Sequence, residues 1–421
     1  MPTEKLYWAD PFATSFEAAA THGELAGKRT LVLDRTLFYP EAGGQLADAG
    51  TLEAGGVTWQ VEDVQIDDDG VIHHVLAGGV LPGAGDVTGT LDAARRRDHM
   101  AQHTGQHALS RALLDVARAD TVSSRLGATA CTIDVEGALD DRGVARAEDL
   151  VNAVVTSDVP VRSLFPTPEE LAGMKLRRPP KVDRGVRVID IEGFDLSPCG
   201  GTHCTRTGQI GVVRVVGLEK YKGGWRVTFH AGKRVIDDAR KKEAVLDGLA
   251  REFTCGVLDV GGAVAKLRGE LKSRTDALSV ARGELVELLA QNVLGAHPPA
   301  PGGTTTVVLT RPGDDVAMLR TLAGRLTARP DVLAFVATPD DRSGGDWSVV
   351  VQRGAGVGFD CGAWLKAVAA AHGGRGGGRP ERAEGRLPRT VSLEEVARAP
   401  GGAPGNASGA PGNATGSAPA R

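Results

Sequence analysis

Hydrophobic and polar positions alternate in short runs along the N-terminal part of the chain. Such runs occupy residues 30–33, 57–61 and 71–75, and clusters of Gly, Asp and Pro separate them. Short runs bounded by turn-forming residues are typical of strands in an all-β domain. The pattern predicts a small β-barrel or sandwich as the first domain, over residues 1–92.

A helical period replaces this alternation in the next stretch. Apolar residues between Met100 and Leu113 recur three or four positions apart, which indicates a helix. A second helix is expected at residues 149–155. Strand-like runs lie at residues 129–135, 186–191, 208–217 and 225–232. Together these elements predict an α+β core over residues 93–245.

The rest of the chain divides into three further parts. An apolar position recurs every seven residues from Val264 to Leu285, which predicts a helical or coiled-coil arm with a linker over residues 246–298. Alternating strand and helix patterns predict an α/β domain over residues 299–396. The tail, residues 397–421, repeats Gly-Ala-Pro-Gly-Asn and is predicted to be disordered. The predicted fold class is α+β and multidomain.

Composition narrows the class of protein. The hydrophobic fraction of 41% and charged fraction of 24% in 421 residues are those of a soluble globular protein. No apolar run approaches the roughly 18 residues of a membrane span, and the N-terminus lacks the apolar core of a signal peptide. Five cysteines without paired spacing suit a reducing cytosol. We therefore expect a cytoplasmic protein without a membrane partner.

Charge gives a local hint of a nucleic-acid partner. The net charge of −4 does not indicate a general nucleic-acid-binding protein. Residues 214–242, however, carry nine Lys or Arg against three acids. Such a run forms either a solvated face or a surface that contacts phosphates, and the sequence leaves both interpretations open.

Two pairs of side chains carry the candidate chemistry. His103 and His107 are four residues apart, so on a helix both imidazoles share one face. Cys199 and His203 repeat this spacing within a segment whose Pro and Gly residues predict a loop. Imidazole and thiolate are ligands that zinc prefers, and four of them fill a tetrahedron. The sequence predicts one Zn²⁺ per chain, held by these four residues.

These motifs resemble a known family. The runs His103-Thr-Gly-Gln-His and Cys199-Gly-Gly-Thr-His resemble the editing domain of alanyl-tRNA synthetase and its free-standing relatives, the AlaX-type trans-editing proteins, most closely their long form. Residues 33–48 resemble the glycine-rich segment that precedes the editing core. Residues 373–385 resemble the closing motif of a DHHA1 domain, although Glu384 stands where Gln is expected.

The resemblance implies an aminoacyl-tRNA deacylase. It would hydrolyse Ser-tRNA(Ala), Gly-tRNA(Ala) or both, because a synthetase pocket cannot exclude small side chains by size and a second site must remove the errors. Gly43, Gly44, Gln45 and Thr104 are the predicted catalytic residues. The C-terminal region is expected to add tRNA affinity or the contacts of a homodimer.

Alternatives remain open at this point. The zinc could be structural in a non-catalytic tRNA-binding module, or the substrate could be Ser-tRNA(Thr). A phosphoesterase is disfavoured because Asp98-His99-Met100 is not an Asp-His-His motif. The chain has no G-x4-G-K-[ST] sequence and starts at the editing-like barrel, so ATP-dependent charging is not expected.

Four further residues are candidates for lesser roles. His99 is expected to flank the site, and Cys204 is a weak competitor for the metal. Thr129 and Thr132 are candidates for pairing with the hydroxyl of a seryl ester. Four protein ligands leave no vacancy in a tetrahedron, so either zinc expands its coordination or one histidine is a loose ligand.

Overall fold

The structure, a computed structural model, describes residues 2–180, 182, 185–299, 302–340 and 345–398. The chain forms two compact units, Met1–Glu252 and Phe253–Arg421, each described by itself below. The finer division into five parts stays a prediction, and of the tail predicted to be disordered, residues 399–421 lie outside the described residues. No helix among the described residues is long and apolar enough to cross a membrane.

The first unit begins with a closed barrel. A barrel is one of the two forms, barrel or sandwich, that the sequence predicts for this domain. Its six strands follow one another around the barrel in the order β2-β3-β7-β6-β5-β8, while β1 pairs with β4 outside it. The strands of this region are β1 (Glu4–Lys5), β2 (Ser15–Leu25), β3 (Lys28–Leu33), β4 (Arg35–Thr36), β5 (Gly50–Ala54), β6 (Val57–Ile66), β7 (Ile72–Leu76) and β8 (Gly85–Leu91).

Alternation of side chains builds the barrel interior. Successive side chains of a strand point to opposite faces, and along β2 Phe16, Ala18 and Ala20 are buried while their neighbours are exposed. Leu31 and Leu52 join the same core. The polar–apolar alternation in the sequence is therefore the signal of inside and outside in this barrel.

An α+β core follows the barrel in the same unit. Its elements are α1 (Ala93–Ala117), β9 (Asp120–Leu126), β10 (Cys131–Glu136), α2 (Asp141–Thr156), β11 (Val161–Leu164), α3 (Pro168–Gly173), β12 (Val188–Ile191), β13 (Asp195–Pro198), β14 (Val213–Tyr221), β15 (Gly224–Ala231) and α4 (Lys233–Phe253). Four strands form an antiparallel sheet in the order β14-β15-β10-β9, and β11-β12-β13 form a second, three-stranded sheet.

Caps and turns set the ends of these elements. The Asp92 side chain accepts hydrogen bonds from the amides of Ala94 and Arg95, so α1 begins there. Helix α2 starts earlier than the sequence predicts because Asp140 caps it. Strand β14 starts later than predicted because a 3-10 turn occupies residues 207–210 and Gly211 has φ of 70°.

The second unit consists of a long helix and an α/β domain. Its elements are α5 (Val260–Ala296), β16 (Thr305–Thr310), α6 (Val316–Leu326), β17 (Val332–Asp340), β18 (Asp346–Arg353), α7 (Cys361–His372), β19 (Arg375–Gly378), β20 (Arg382–Leu387) and α8 (Leu393–Arg398). The sheet order is β16-β17-β18-β20-β19, with β16 parallel to β17. The glycine-rich segment near residue 376 forms the paired strands β19 and β20, not a flexible linker.

Helix α5 buries only a small part of its apolar surface. Val286 and Ala290, near its C-terminal end, pack into a core shared with α6 and β17. The leucines of the seven-residue recurrence lie on exposed surface, among them Leu271, Leu278 and Leu285. The predicted helix is present, and most of its leucines are exposed.

Candidate metal centre

Helix α1 brings two imidazoles to a buried position. His103 and His107 lie one turn apart, and their ring centroids are 5.2 Å apart. Both side chains are almost completely buried although they are polar. Buried polar groups are nearly always bonded inside the protein, so this helix face is where a functional site is expected.

The other two members of the site lie in the loop that follows β13. The Cys199 amide donates to the carbonyl of Arg187, and the Arg187 guanidinium donates to the carbonyls of Cys199 and Gly201, at 3.0 and 2.6 Å. A Cβ at Gly201 would overlap the ring of His103 and lie 2.9 Å from Gln45 Oε1. Only glycine allows the loop to approach α1 this closely.

All four predicted ligands meet at one point. Their ligand atoms lie within 4.8 Å of one another. The Sγ atom of Cys199 is 3.3 Å from Nε2 of His103 and 3.3 Å from Nε2 of His203. The fold thus joins two segments that are 96 residues apart in the chain. Three imidazole nitrogens and one sulfur form a donor set that could hold a zinc ion.

The electrostatics of the cluster favour a thiolate. Burial alone would raise the pKa of Cys199, but the neighbouring imidazoles, above all His103 and His203, hold that pKa well below its ordinary value. Burial lowers the pKa of His203, and the adjacent His103 lowers it further. A thiolate and a neutral imidazole are the forms in which these side chains bind a metal ion.

Two of the three histidines, His103 and His203, have a hydrogen-bond partner at Nδ1. Nδ1 of His103 lies 2.8 Å from Gln45 Oε1, and Nδ1 of His203 lies 3.2 Å from Thr104 Oγ1. Both contacts leave Nε2 facing Cys199. Histidines that bind metals almost always have their other nitrogen fixed in this way. Two of the residues predicted to be catalytic, Gln45 and Thr104, therefore contact ligand side chains.

His107 faces a buried ion pair. Its Nδ1 is 3.6 Å from Asp195 Oδ2, and Asp195 accepts from Arg177 Nε at 2.8 Å and from Ser197 Oγ at 2.9 Å. Burial opposes ionisation of Asp195, but His107 and Arg177 outweigh it and lower the pKa of this carboxyl. Likewise, burial would lower the pKa of His107, whereas Asp195 and Cys199 raise it.

Asp195, Arg177 and Arg187 were not identified from the sequence. Asp195 lies four residues before Cys199, so an acid next to a metal motif is a signal that could have drawn attention to it. The two arginines carry no such signal, because their partners are set by the fold alone.

The segment Gly43-Gly44-Gln45 links the barrel to the core. Gly43 and Gly44 have φ of 60° and 85°, and a Cβ on Gly44 would lie 2.8 Å from the carbonyl oxygen of Ser124. The Gly44 carbonyl accepts from the Leu126 amide at 2.8 Å. The two predicted glycines thus shape the turn that delivers the Gln45 side chain to the cluster.

Thr202 completes the fixation of Gln45. Its amide donates to Gln45 Oε1 at 3.1 Å, and its Oγ1 accepts from Gln45 Nε2 at 2.9 Å. The amide oxygen of Gln45 therefore accepts a hydrogen bond from the loop and lies against the ring of His103 at the same time. This arrangement couples the barrel, α1 and the cysteine loop through one side chain.

The residues given lesser roles lie apart from the four ligand atoms. Burial raises the pKa of the Cys204 thiol to about 11, and this side chain packs in the hydrophobic core. Burial lowers the pKa of His99 to about 4. Thr129 is exposed near a turn, and Thr132 lies between Arg125 and Thr228 in the sheet. No contact joins these two hydroxyls to the cluster within the described residues.

Three family models match separate parts of the chain. Residues 186–228 match the Threonyl and Alanyl tRNA synthetase second additional domain, and residues 12–95 match tRNA synthetases class II (A). Residues 303–399 match the DHHA1 domain, as the sequence motif predicted. The first of these matches contains both Cys199 and His203.

Comparisons with individual proteins agree with these matches. The chain is 33% identical over 411 residues to an alanine–tRNA ligase of Halorubrum lacusprofundi, covering 94% of this chain and 43% of the ligase. It is 35% identical over 240 residues to the alanyl-tRNA editing protein AlaX-L of Pyrococcus horikoshii, covering 55% of this chain and 59% of AlaX-L. The chain therefore spans about half the length of these curated relatives, and the predicted resemblance is confirmed.

One solved structure is also similar in part. The C-Ala domain from Aquifex aeolicus alanyl-tRNA synthetase matches 23% of this chain and 86% of its own chain, with 20% sequence identity and a TM-score of 0.21.

Proposed function

We propose that this chain, a relative of the alanine–tRNA ligases and of AlaX-L, is a hydrolase that removes a wrongly attached amino acid from tRNA(Ala). Its substrates would be Ser-tRNA(Ala), Gly-tRNA(Ala) or both. The observation that carries the proposal is the group of three imidazoles and one cysteine sulfur, in which two imidazoles have a hydrogen-bond partner at Nδ1 and the third, His107, faces Asp195. Similarity to proteins named for alanyl-tRNA chemistry supports the choice of substrate.

The residues present fit a zinc ion. His103, His107, Cys199 and His203 would hold it, since this donor set and the lowered pKa of Cys199 suit zinc. When bound, zinc would polarise the ester carbonyl or lower the pKa of a water molecule. The four-ligand count leaves open whether zinc gains a fifth ligand or one histidine binds loosely.

Gln45 and Thr104 would act as positioning residues. They contact the Nδ1 atoms of His103 and His203, which fixes the orientation of each ring. Asp195 would do the same for His107 and would hold a proton at its Nδ1. Gly43 and Gly44 would contribute through the turn that presents Gln45. We therefore reassign the four residues expected to be catalytic to the support of the metal ligands.

Two alternatives follow from specific observations. The model that matches residues 186–228 describes threonyl as well as alanyl enzymes, so Ser-tRNA(Thr) is the second candidate substrate. A tRNA-binding module with a structural zinc is the other, because four protein ligands fill a tetrahedron. The named relatives favour the alanine system.

A homodimer would form through the second unit. The exposed leucines of α5 supply an apolar stripe more typical of a helix–helix interface than of a solvated helix. Such an assembly would carry two metal centres and two tRNA-binding surfaces, and the reaction would take place in the cytoplasm.

A deacylation assay tests the proposal. Purified protein would be incubated with Ser-tRNA(Ala), Gly-tRNA(Ala), Ala-tRNA(Ala) and Ser-tRNA(Thr), each with and without a zinc chelator. The expected result is chelator-sensitive release of serine, glycine or both from tRNA(Ala), with the alanyl ester spared. Chelator-sensitive hydrolysis restricted to Ser-tRNA(Thr) would favour the second candidate. Binding without turnover would favour the module with a structural zinc.

A further inference from the structure

An aromatic pair, of which Phe165 is exposed and Trp8 is half-buried, lies next to the cysteine loop. The rings of Trp8 and Phe165 have centroids 5.9 Å apart and are tilted by 51°. Phe165 is 58% exposed, and the metal cluster makes no use of it. Pro166 follows it, which favours an extended backbone at Phe165 just beyond the end of β11. Aromatic rings at the surface are platforms on which nucleobases stack.

The pair is tethered to the segment that carries the thiolate. The indole Nε1 of Trp8 donates to the carbonyl of Gly200 at 2.9 Å. Gly200 is the residue after Cys199, so a ligand that stacks on this pair lies beside the metal cluster. Arg187, which bonds to the same loop, has its guanidinium carbon 5.7 Å from the centroid of the Trp8 ring.

Positively charged side chains lie beside the Trp8 ring. Nζ of Lys5 lies 4.6 Å from the centroid of the Trp8 ring. No ion pair involves Lys5 within the residues that the structure describes. Aromatic rings beside free cations are the features by which proteins hold single-stranded nucleic acid.

From these observations we propose that Phe165 and Trp8 form the stacking site for the unpaired 3′-terminal nucleobase of the aminoacylated tRNA, with Lys5 facing its phosphates. The proposal rests on the proposed function, because it takes the ester to lie at the metal cluster. Seryl and glycyl groups are small and offer no flat surface to an aromatic ring. The terminal nucleobase does, and the ribose that carries the ester joins the two.

The test uses RNA minihelices that carry a serine through a non-hydrolysable 3′-amide. One ends in the normal terminal nucleotide, and the other ends in a ribose without a base. The full zinc-loaded chain should bind the first about 5- to 150-fold more tightly, the range that ~1–3 kcal/mol of stacking gives at about 1.4 kcal/mol per factor of ten. Phe165→Ala should lose most of this preference, and Phe165→Tyr should keep it.

Two variants refine the assignment. Trp8→Phe retains an aromatic ring but removes the hydrogen bond to Gly200, so it should weaken the preference less than Trp8→Ala does. Phe12→Ala serves as the matched control, because Phe12 is another exposed aromatic residue of the same unit. The zinc content of each variant shows whether the cluster is intact.

The outcomes separate this proposal from the proposed function. Equal binding of the two minihelices by the wild-type chain, or a preference unchanged in zinc-loaded Phe165→Ala, would overturn the stacking site even if the chain hydrolyses Ser-tRNA(Ala). Conversely, a base preference that depends on Phe165 would uphold the stacking site even if no ester were hydrolysed, and the proposed reaction would then be the part that fails.

Discussion

The two long helices α1 and α5 use their side chains in opposite ways. Helix α1 buries polar residues, among them Gln102, His103 and His107. Helix α5 exposes apolar ones, such as Leu271 and Leu278. Burial of a polar group requires partners inside the same chain, whereas exposure of a row of leucines indicates a surface that another molecule covers. The first helix therefore lines the candidate metal centre, and the second presents the apolar surface that we propose as an interface.

Among the changes around the buried polar face of α1, loss of the Cys199 side chain should have the largest effect. Cys199→Ala is expected to lose most of the bound zinc and to lower deacylation at least about 100-fold, since the metal supplies several kcal/mol of charge stabilisation. Metal analysis and the Ser-tRNA(Ala) assay measure both effects. Cys204→Ala is the matched control and should keep its zinc. Full zinc retention by Cys199→Ala would contradict the ligand assignment.

A methyl group added at Gly201 should disturb the same site from the side of the cysteine loop. Gly201→Ala forces a Cβ against the ring of His103, and such overpacking costs about 1–3 kcal/mol. Zinc affinity and thermal stability should both fall. The neighbouring Gly200→Ala has open space around its Cβ and should resemble the wild type. If the two variants behave alike, the close approach of loop and helix is wrong.

Loss of the contact between Gln45 and His103 should have a smaller effect. Gln45→Ala removes the partner of His103 Nδ1, and loss of such a partner lowers metal affinity or activity about 10- to 100-fold. Competition with a chromophoric zinc chelator measures the affinity. Gln65→Ala, in the same barrel, is the control. A variant that loses turnover but binds zinc as the wild type does would instead give Gln45 the catalytic role first expected of it.

The exposed leucines of α5 should show the smallest effect on stability. The double variant Leu271→Lys, Leu278→Lys should change the free energy of unfolding of the chain by about 0.5 kcal/mol or less, yet sedimentation should show a monomer where the wild type is a dimer. Val286→Ala, at a buried position of the same helix, should destabilise by about 1–3 kcal/mol. A wild-type monomer at all concentrations would remove the dimer from the proposal.

The four candidate ligands could be predicted from the sequence because both their residue types and their spacing are typical of a metal site. His103 and His107 share a helix face, and Cys199 and His203 repeat a motif, so short-range rules suffice. The barrel and the DHHA1 domain were predictable for a similar reason, since alternation and strand–helix order are local features. The glycine turn around Gly44 was also visible, although its partner on β9 was not.

The remaining features depend on contacts between distant residues. Gln45 reaches His103 across 58 positions and Thr202 across 157. Nothing local distinguishes Arg177 or Arg187 from other arginines of the chain, and Phe165 has no periodic neighbours that would mark it as exposed. Thr129 and Thr132 had the right chemistry for hydroxyl recognition, but only the fold decides their positions, and it puts Thr129 in a bend and Thr132 on β10.

The bonds of Gln45 also determine when the centre can assemble during synthesis. A contact that spans 157 residues cannot form until the cysteine loop has left the ribosome, long after the barrel and α1 have emerged. Until then, His103 and His107 are the only two of the four candidate ligands that have emerged and could bind a metal ion. Contacts of such long separation are slow to form because loop closure carries an entropic cost. Metal loading of this protein is therefore expected to be a late event, which pulse-labelling of stalled chains with radioactive zinc would time.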